Sequence, residues 1–171
     1  MSAGRVSIRS EDFDLGTEVA ALRRGDAGVG AVAAFIGTVR ERNDGAAVKS
    51  LELEHYPGMT EAAIEAMIDE AMRRFEIRAA RVVHRIGVLA PTAQIVLVAV
   101  TSAHRHEAFQ ACEFLMDYLK TSAPFWKKEA TDAGARWVDA RVADDAALAR
   151  WGIESGNAAD AAPAPLRPPG P

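Results

Sequence analysis

The sequence offers little sulfur or metal chemistry. It contains one cysteine, Cys112, and four histidines in 171 residues. A single thiol excludes an internal disulfide framework and any zinc or redox motif made of paired cysteines. The histidines lack the spacing of a metalloprotease motif. We therefore expect neither a metal site nor a bound cofactor.

Long apolar runs and a basic charge balance are also absent. No stretch reaches the roughly 20 apolar residues that span a bilayer, and residues 1–5 begin no signal-peptide core. The net charge is −4 and the pI is near 5.6, whereas a general nucleic-acid binder carries a basic face. These features predict a cytoplasmic protein with neither a membrane nor a nucleic-acid partner.

The composition predicts one folded domain followed by a tail. Hydrophobic residues make up 49% of the chain and charged residues 26%, which suits one well-filled core. From Ile153 onward alanine and proline dominate, and five of the eight prolines lie there. We expect a domain over residues 1–152 and a disordered tail over residues 153–171.

Apolar periodicity and turn signals predict an α+β fold with a mixed or antiparallel sheet and three main helices. The helices are expected from after Asp14 to Gly25, at 61–75 with Thr60 as the cap, at 103–122 with Pro124 as the stop, and in a short segment at 145–151. Strands are expected at 29–39, 49–56, 81–86, 94–101, 125–131 and 136–138. The apolar character of 29–39 and 94–101 indicates buried strands, the second of them central in its sheet.

Two cations lie where the third helix is expected to begin. Ser102 is a candidate cap, and His104 and Arg105 follow it. Positive charge there opposes the helix dipole, at a cost of about 0.3–1 kcal/mol per exposed charge. A bound phosphate or carboxylate would offset that cost, because free backbone N–H groups point to the same place. The alternative is a solvated arginine beside a packed histidine.

Two lysines flank the end of the same helix. Lys120 falls at the edge of the apolar face, where partial desolvation would favour the neutral amine. In the strand that follows, alternation directs Lys127 and Glu129 to one side and Trp126 and Lys128 to the other. Lys127 then faces Lys120, and Glu129 is placed to orient one of them. A snorkelling lysine and a solvated charged surface are the alternatives.

Two further side chains are candidates for the chemistry. Arg40 follows a strand that contains Gly37, and a glycine there lets the backbone approach a ligand closely. Arg40 is therefore a candidate second anion clamp, with pairing to a nearby glutamate as the alternative. Cys112 falls in the middle of the third helix among apolar residues, which favours core packing over a nucleophilic role.

Several segments between residues 5 and 151 carry a family resemblance. They are 35–40 (FIGTVR) with the loop 43–45 (NDG), 53–59 (LEHYPGM), 84–87 (HRIG), 100–105 (VTSAHR), and 114–129. Together they resemble the large, catalytic subunit of molybdopterin synthase. The resemblance implies an α/β-hammerhead-type fold and a homodimer of the large subunit. A small ubiquitin-like partner at each end would complete a heterotetramer.

The resemblance also implies an activity. The C-terminal Gly-Gly of the small partner carries a thiocarboxylate, enters a pocket on the large subunit and donates sulfur to cyclic pyranopterin monophosphate, forming the molybdopterin dithiolene. By position, Lys120 and Lys127 match the catalytic lysines. The residues that match the substrate pocket are Thr38, Val39, Arg40, His104, Arg105, Lys128 and Glu129.

Two other functions remain open from the residues alone. An anion-binding adaptor would hold the partner's tail without chemistry, but such an adaptor does not require both lysines. A sulfurtransferase that works through Cys112 is the second alternative, and it requires a reactive thiol.

Overall fold

Strands and helices alternate irregularly in the computed structural model, which describes residues 4–138 and 142–153. The helices within these residues are α1 (Leu15–Arg23), α2 (Met59–Arg74), α3 (Arg105–Ser122) and α4 (Val142–Ala149). The strands are β1 (Val6–Arg9), β2 (Ala31–Thr38), β3 (Arg42–Asn43), β4 (Ala46–His55), β5 (Ile77–Arg85), β6 (Gly87–Leu89), β7 (Gln94–Ser102), β8 (Phe125–Thr131) and β9 (Gly134–Val138). The predicted α+β class is confirmed.

The first sheet carries the main core. Its strand order is β1-β5-β7-β2, with β1 parallel to β5 and the other pairs antiparallel. The last seven residues of β7 are all buried, so the predicted central strand is confirmed. α2 and α3 pack against one face of this sheet through Ile64, Ile68, Phe114 and Leu115, while α1 covers Phe13 and Leu97 on the other face.

β2 differs from the prediction of a buried strand. It lies at the edge of the first sheet, paired with β7 on one side. Val32 and Phe35 are 38% and 39% exposed within the single chain. A nearly continuous apolar run predicts burial on both faces but does not reveal whether the burying partner belongs to the same chain.

The second sheet is antiparallel, and the chain enters its strand β6 directly after β5 of the first sheet. In the second sheet β3, β4, β8 and β9 pair in that order, and β6 pairs with β4. The chain leaves β5 and enters β6 at Gly87, whose φ of 85° suits glycine. The β3–β4 hairpin turns at Asp44 and Gly45, with φ values of 49° and 80° as in a type I′ turn. The loop 43–45 therefore contains the turn of this hairpin.

Two predicted helix caps are wrong. α2 begins at Met59 with Gly58 as the cap, and the Thr60 hydroxyl instead donates to the Pro124 carbonyl over 3.1 Å. α3 begins at Arg105 with His104 as the cap, while the Ser102 hydroxyl donates to the Glu76 carbonyl over 2.8 Å. In both cases the hydroxyl oxygen accepts from a backbone N–H outside the helix, that of Tyr56 for Thr60 and that of His104 for Ser102, while its hydrogen goes to a distant carbonyl.

The C-terminal part is described only as far as Ile153. α4 begins three residues before the predicted segment 145–151 and ends at Ala149. The predicted disordered tail lies outside the described residues apart from Ile153. No helix in the described part of the chain is both long enough and apolar enough to cross a membrane.

Candidate active site

A pocket of about 640 Å³ opens where the end of β2, the last turns of α3 and the inner face of β8 meet. Its floor is apolar and includes Ile95, Met116, Leu119 and Phe125. The polar and charged side chains at the pocket are Thr38, Arg40, Asn43, His84, Lys120, Lys127 and Glu129. Three of the four charged groups are cations, so the pocket is suited to an anionic ligand.

The two lysines come from separate elements that Pro124 connects. Lys120 belongs to the last turn of α3, beside the buried Leu119, and its own side chain is exposed. Lys127 is the third residue of β8, on the strand face that points into the pocket. The structure therefore brings both lysines to one cavity. Burial within the single chain does not desolvate Lys120.

Lys128 lies outside the pocket. Its ammonium nitrogen is 5.6 Å from the centre of the Trp137 ring, and the neighbouring Trp126 packs edge-on against Tyr56 at 4.3 Å. These contacts are on the face of β8 opposite Lys127, as strand alternation predicted. The resemblance implies that Lys128 lines the substrate pocket, but its side chain lies on the face of β8 opposite Lys127.

Glu129 is held by a buried set of hydrogen bonds. Its side chain is among the few buried charged groups, with the residue only 5% exposed. One carboxylate oxygen accepts from Asn43 Nδ2 at 2.6 Å, and the other accepts from Arg136 Nε and Nη2 at 3.1 and 3.0 Å. A buried carboxylate with both oxygens engaged serves better as an anchor than as a mobile base.

The segment after β2 contains Arg40, the candidate anion clamp. Thr38 is exposed at the end of the strand, and Val39 is buried, with its N–H donating to the Ala93 carbonyl at 2.9 Å. Arg40 is exposed at the pocket, and its Nη2 donates to Asn43 Oδ1 at 3.1 Å. A Cβ on Gly37 would meet Val96 at 2.9 Å, so the glycine here serves strand packing.

Sequence reasoning missed His84. It lies on β5, is buried, and stacks on Phe125 with ring centres 3.8 Å apart. Its Nδ1 is 2.8 Å from the Arg85 carbonyl and must donate to it, which leaves the Nε2 lone pair available. Burial, with a smaller contribution from the charge of Lys127, lowers the pKa of His84 to about 3. A histidine directly after the apolar pair Val82 and Val83 was the available signal.

His104 and Arg105 lie far from this pocket within one chain. His104 caps α3 and Arg105 is its first residue, and both side chains are exposed. Lys120 follows fifteen residues after Arg105, which places it about 22 Å further along the helix axis. His104 and Arg105 therefore do lie at the start of α3, but within a single chain they are distant from Lys120 and Lys127.

Cys112 belongs to the main core. It is buried between α3 and the first sheet, with Sγ 3.9 Å from the Val98 carbonyl. Burial raises the pKa of its thiol to about 11. The thiol is therefore protonated near neutral pH and poorly suited to carry sulfur. Within the described residues no group of three His, Cys, Asp or Glu side chains is arranged to hold a metal ion.

We expect the Cys112→Ala variant to keep its turnover within about twofold, because the thiol touches only the core. Loss of the buried sulfur should destabilise the fold by about 1 kcal/mol. Sulfur-transfer rate and thermal unfolding check the two parts separately. A folded variant without activity would restore the cysteine-dependent alternative.

The fold and the pocket together define a class: an α+β domain with a lysine-lined pocket suited to an anionic ligand. Comparisons with known proteins specify it further. The model of the MoaE protein family matches residues 8–122. The molybdopterin synthase catalytic subunit of Ralstonia nicotianae is 62% identical over 156 residues, covering 91% of this chain and 89% of that protein.

Solved structures agree with this match. The molybdopterin biosynthesis MoaE protein from Burkholderia ambifaria is 56% identical, with a TM-score of 0.77 over 89% of this chain and all of that chain. Molybdopterin synthase from Staphylococcus aureus is 31% identical, with a TM-score of 0.74 over 80% of this chain and 98% of that chain. The chain therefore belongs to the MoaE family, the sulfur-transferring catalytic subunits of molybdopterin synthase in molybdenum-cofactor biosynthesis.

Proposed function

We propose that this chain transfers sulfur from the C-terminal thiocarboxylate of a small ubiquitin-like partner to cyclic pyranopterin monophosphate, and that two such transfers form the dithiolene. The observation that carries the proposal is the convergence of Lys120, Lys127 and Arg40 on one pocket. A phosphate-bearing substrate supplies the negative charge that such a pocket attracts. The sulfur arrives on the partner, which agrees with the inert position of Cys112.

The two lysines have separate tasks in this proposal. Lys120 transfers a proton at the pterin carbon under sulfur attack, or transiently captures the partner's carbonyl carbon. Lys127, fixed on β8 above Phe125, stabilises the negative charge that develops in the transition state. The buried, neutral His84 beside Lys127 offers an acceptor without adding a competing positive charge.

His104 and Arg105 act in this proposal from a second copy of the chain. They lie at the opposite end of α3 from Lys120, so one chain does not place them on the same substrate. A homodimer resolves the separation by setting the helix start of one copy beside the pocket of the other. The exposed apolar edge of β2, with Val32 and Phe35, supports a second copy as the covering partner.

Reconstitution tests the proposal as a whole. The purified chain is mixed with a thiocarboxylated ubiquitin-like partner and cyclic pyranopterin monophosphate, and dithiolene product is measured. A known catalytic subunit in place of this chain is the positive control, and the partner with an ordinary C-terminal carboxylate is the negative control. Absence of product where the known subunit works would refute the function. A cytoplasmic location remains part of this proposal and rests on the sequence.

A further inference from the structure

Asn43 connects two charged groups at the edge of the pocket. It belongs to the two-residue strand β3 and is 8% exposed. Its Oδ1 accepts from Arg40 Nη2 at 3.1 Å, and its Nδ2 donates to Glu129 Oε1 at 2.6 Å. One amide therefore joins Arg40, after β2, to Glu129 on β8, which lies 86 positions after Asn43 in the sequence.

The two partners determine the orientation of the amide. A guanidinium only donates and a carboxylate only accepts, so the amide oxygen must face Arg40 and the amide nitrogen must face Glu129. An aspartate would accept from Arg40 but would repel Glu129 unless one of the two carboxyls held a proton. Asparagine satisfies both sides at any ordinary pH.

Glu129 is the fixed end of this arrangement. Two N–H groups of Arg136 hold the second carboxylate oxygen, and Arg136 Nη2 also donates to the Asn43 backbone carbonyl at 3.1 Å. Glu129 thus cannot rotate without breaking several charge-assisted bonds. Arg40, at the other end, is exposed and has a long side chain with many rotamers.

The hairpin itself provides a different explanation for Asn43, namely local stability. The turn, however, is made by the backbone of Asp44 and Gly45, both with positive φ, and by pairing of residues 42 and 43 with 47 and 46. The Asn43 amide also reaches out of this hairpin, to Arg40 before β3 and to Glu129 on β8. Its side chain thus also serves the pocket.

We propose that Asn43 is a positioning residue for the sulfur-transfer reaction: it links the anchored Glu129 to Arg40 and holds the Arg40 guanidinium in place for the substrate's phosphate. Restricting the Arg40 side chain before binding lowers the entropic cost of fixing it when the substrate docks. The inference rests on the proposed function, in which Arg40 binds the substrate anion.

Steady-state kinetics of the reconstituted enzyme test the link. The Asn43→Ala variant should raise the KM for cyclic pyranopterin monophosphate about tenfold, as expected for one lost hydrogen bond to a charged group, while kcat stays within about threefold. Arg40→Ala should raise KM at least as much. Arg42→Ala is the matched control, since the Arg42 side chain is exposed and donates to the nearby Gly45 carbonyl, and the KM of this variant should not change.

A pH series with Asn43→Asp separates positioning from simple structural support. The charged groups around the new carboxyl are Glu129 on β8, Arg136 on β9, Arg40 after β2, and the two lysines across the pocket. Below the apparent pKa of the carboxyl pair one shared proton restores a donor toward Glu129, and above it the two carboxylates repel. The KM of this variant relative to wild type should therefore fall as the pH is lowered from about 8 to 6.

Each outcome supports or overturns a defined statement. An unchanged KM in Arg40→Ala refutes the anion clamp, and with it the proposed role of Arg40. A raised KM in Arg40→Ala with an unchanged KM in Asn43→Ala overturns the positioning role alone. If Asn43→Ala does not fold, the nearly isosteric Asn43→Asp variant takes its place. A ratio of its KM to the wild-type KM that does not vary with pH also overturns the positioning role. A loss of thermal stability without a change in KM has the same consequence.

Discussion

Replacing Lys120 with alanine is expected to abolish dithiolene formation while leaving the partner bound. The ammonium or amine of Lys120 is one of two such groups that the fold brings to the pocket, from the last turn of α3. Removing a positioned proton-transfer group lowers rates by about 10²- to 10⁴-fold. Single-turnover formation of product, measured with saturating thiocarboxylated partner, gives the size of the loss.

The stability and partner affinity of this variant should be close to those of the wild type. Lys120 is exposed, so its truncation leaves no cavity and no buried unpaired group. Lys49→Ala is the control, because Lys49 is an exposed lysine that pairs with Asp132 on the surface. Full activity of Lys120→Ala would refute the assignment of Lys120, and equal losses in both lysine variants would point to a non-specific electrostatic effect.

Mixing two inactive variants is expected to restore activity if the site is shared between copies. In a mixed dimer of Arg105→Ala with Lys120→Ala, one pocket has Lys120 from the first copy and Arg105 from the second, and the other pocket has neither. Random exchange makes half of the dimers mixed, so about a quarter of wild-type activity should return. Product formation after subunit exchange, relative to each variant alone, measures the recovery.

The matched control mixes Lys120→Ala with Lys127→Ala. Both lysines belong to the same pocket of one chain, so no mixed dimer regains an intact site and no activity should return. Recovery in the control but not in the Arg105 mixture would contradict the shared site. No recovery in either mixture, with exchange shown by differently tagged copies, would place Arg105 outside the site or in the same copy as Lys120.

Much of the site could be predicted because its signals are local. The period of α3 placed Lys120 beside its apolar face, and alternation along β8 placed Lys127 and Glu129 opposite Trp126 and Lys128. Both periods follow from backbone geometry, which hardly depends on the rest of the fold. The position of Lys128 shows the value of this rule, since the family resemblance alone would have put it in the pocket.

The long-range contacts could not be predicted in the same way. The hydrogen bond from Asn43 to Glu129 and the stack of His84 on Phe125 join residues on different strands. The hydrogen bond from the Thr60 hydroxyl to the Pro124 carbonyl also joins residues far apart in the sequence. No periodicity within either segment encodes such a pairing, because it depends on how elements far apart in the sequence pack together.

The sequence by itself determined the class of fold, the lysine pair, the cations at the start of α3 and the family. These follow from local periodicity, alternation and the order of matched segments. Only the tertiary structure decided that Asn43 and His84 join the pocket. It also decided that the pocket lies at the Lys120 end of α3, about 22 Å along the helix axis from Arg105. The physical reason is that side-chain direction is a local property, whereas proximity is set by the packing of distant elements.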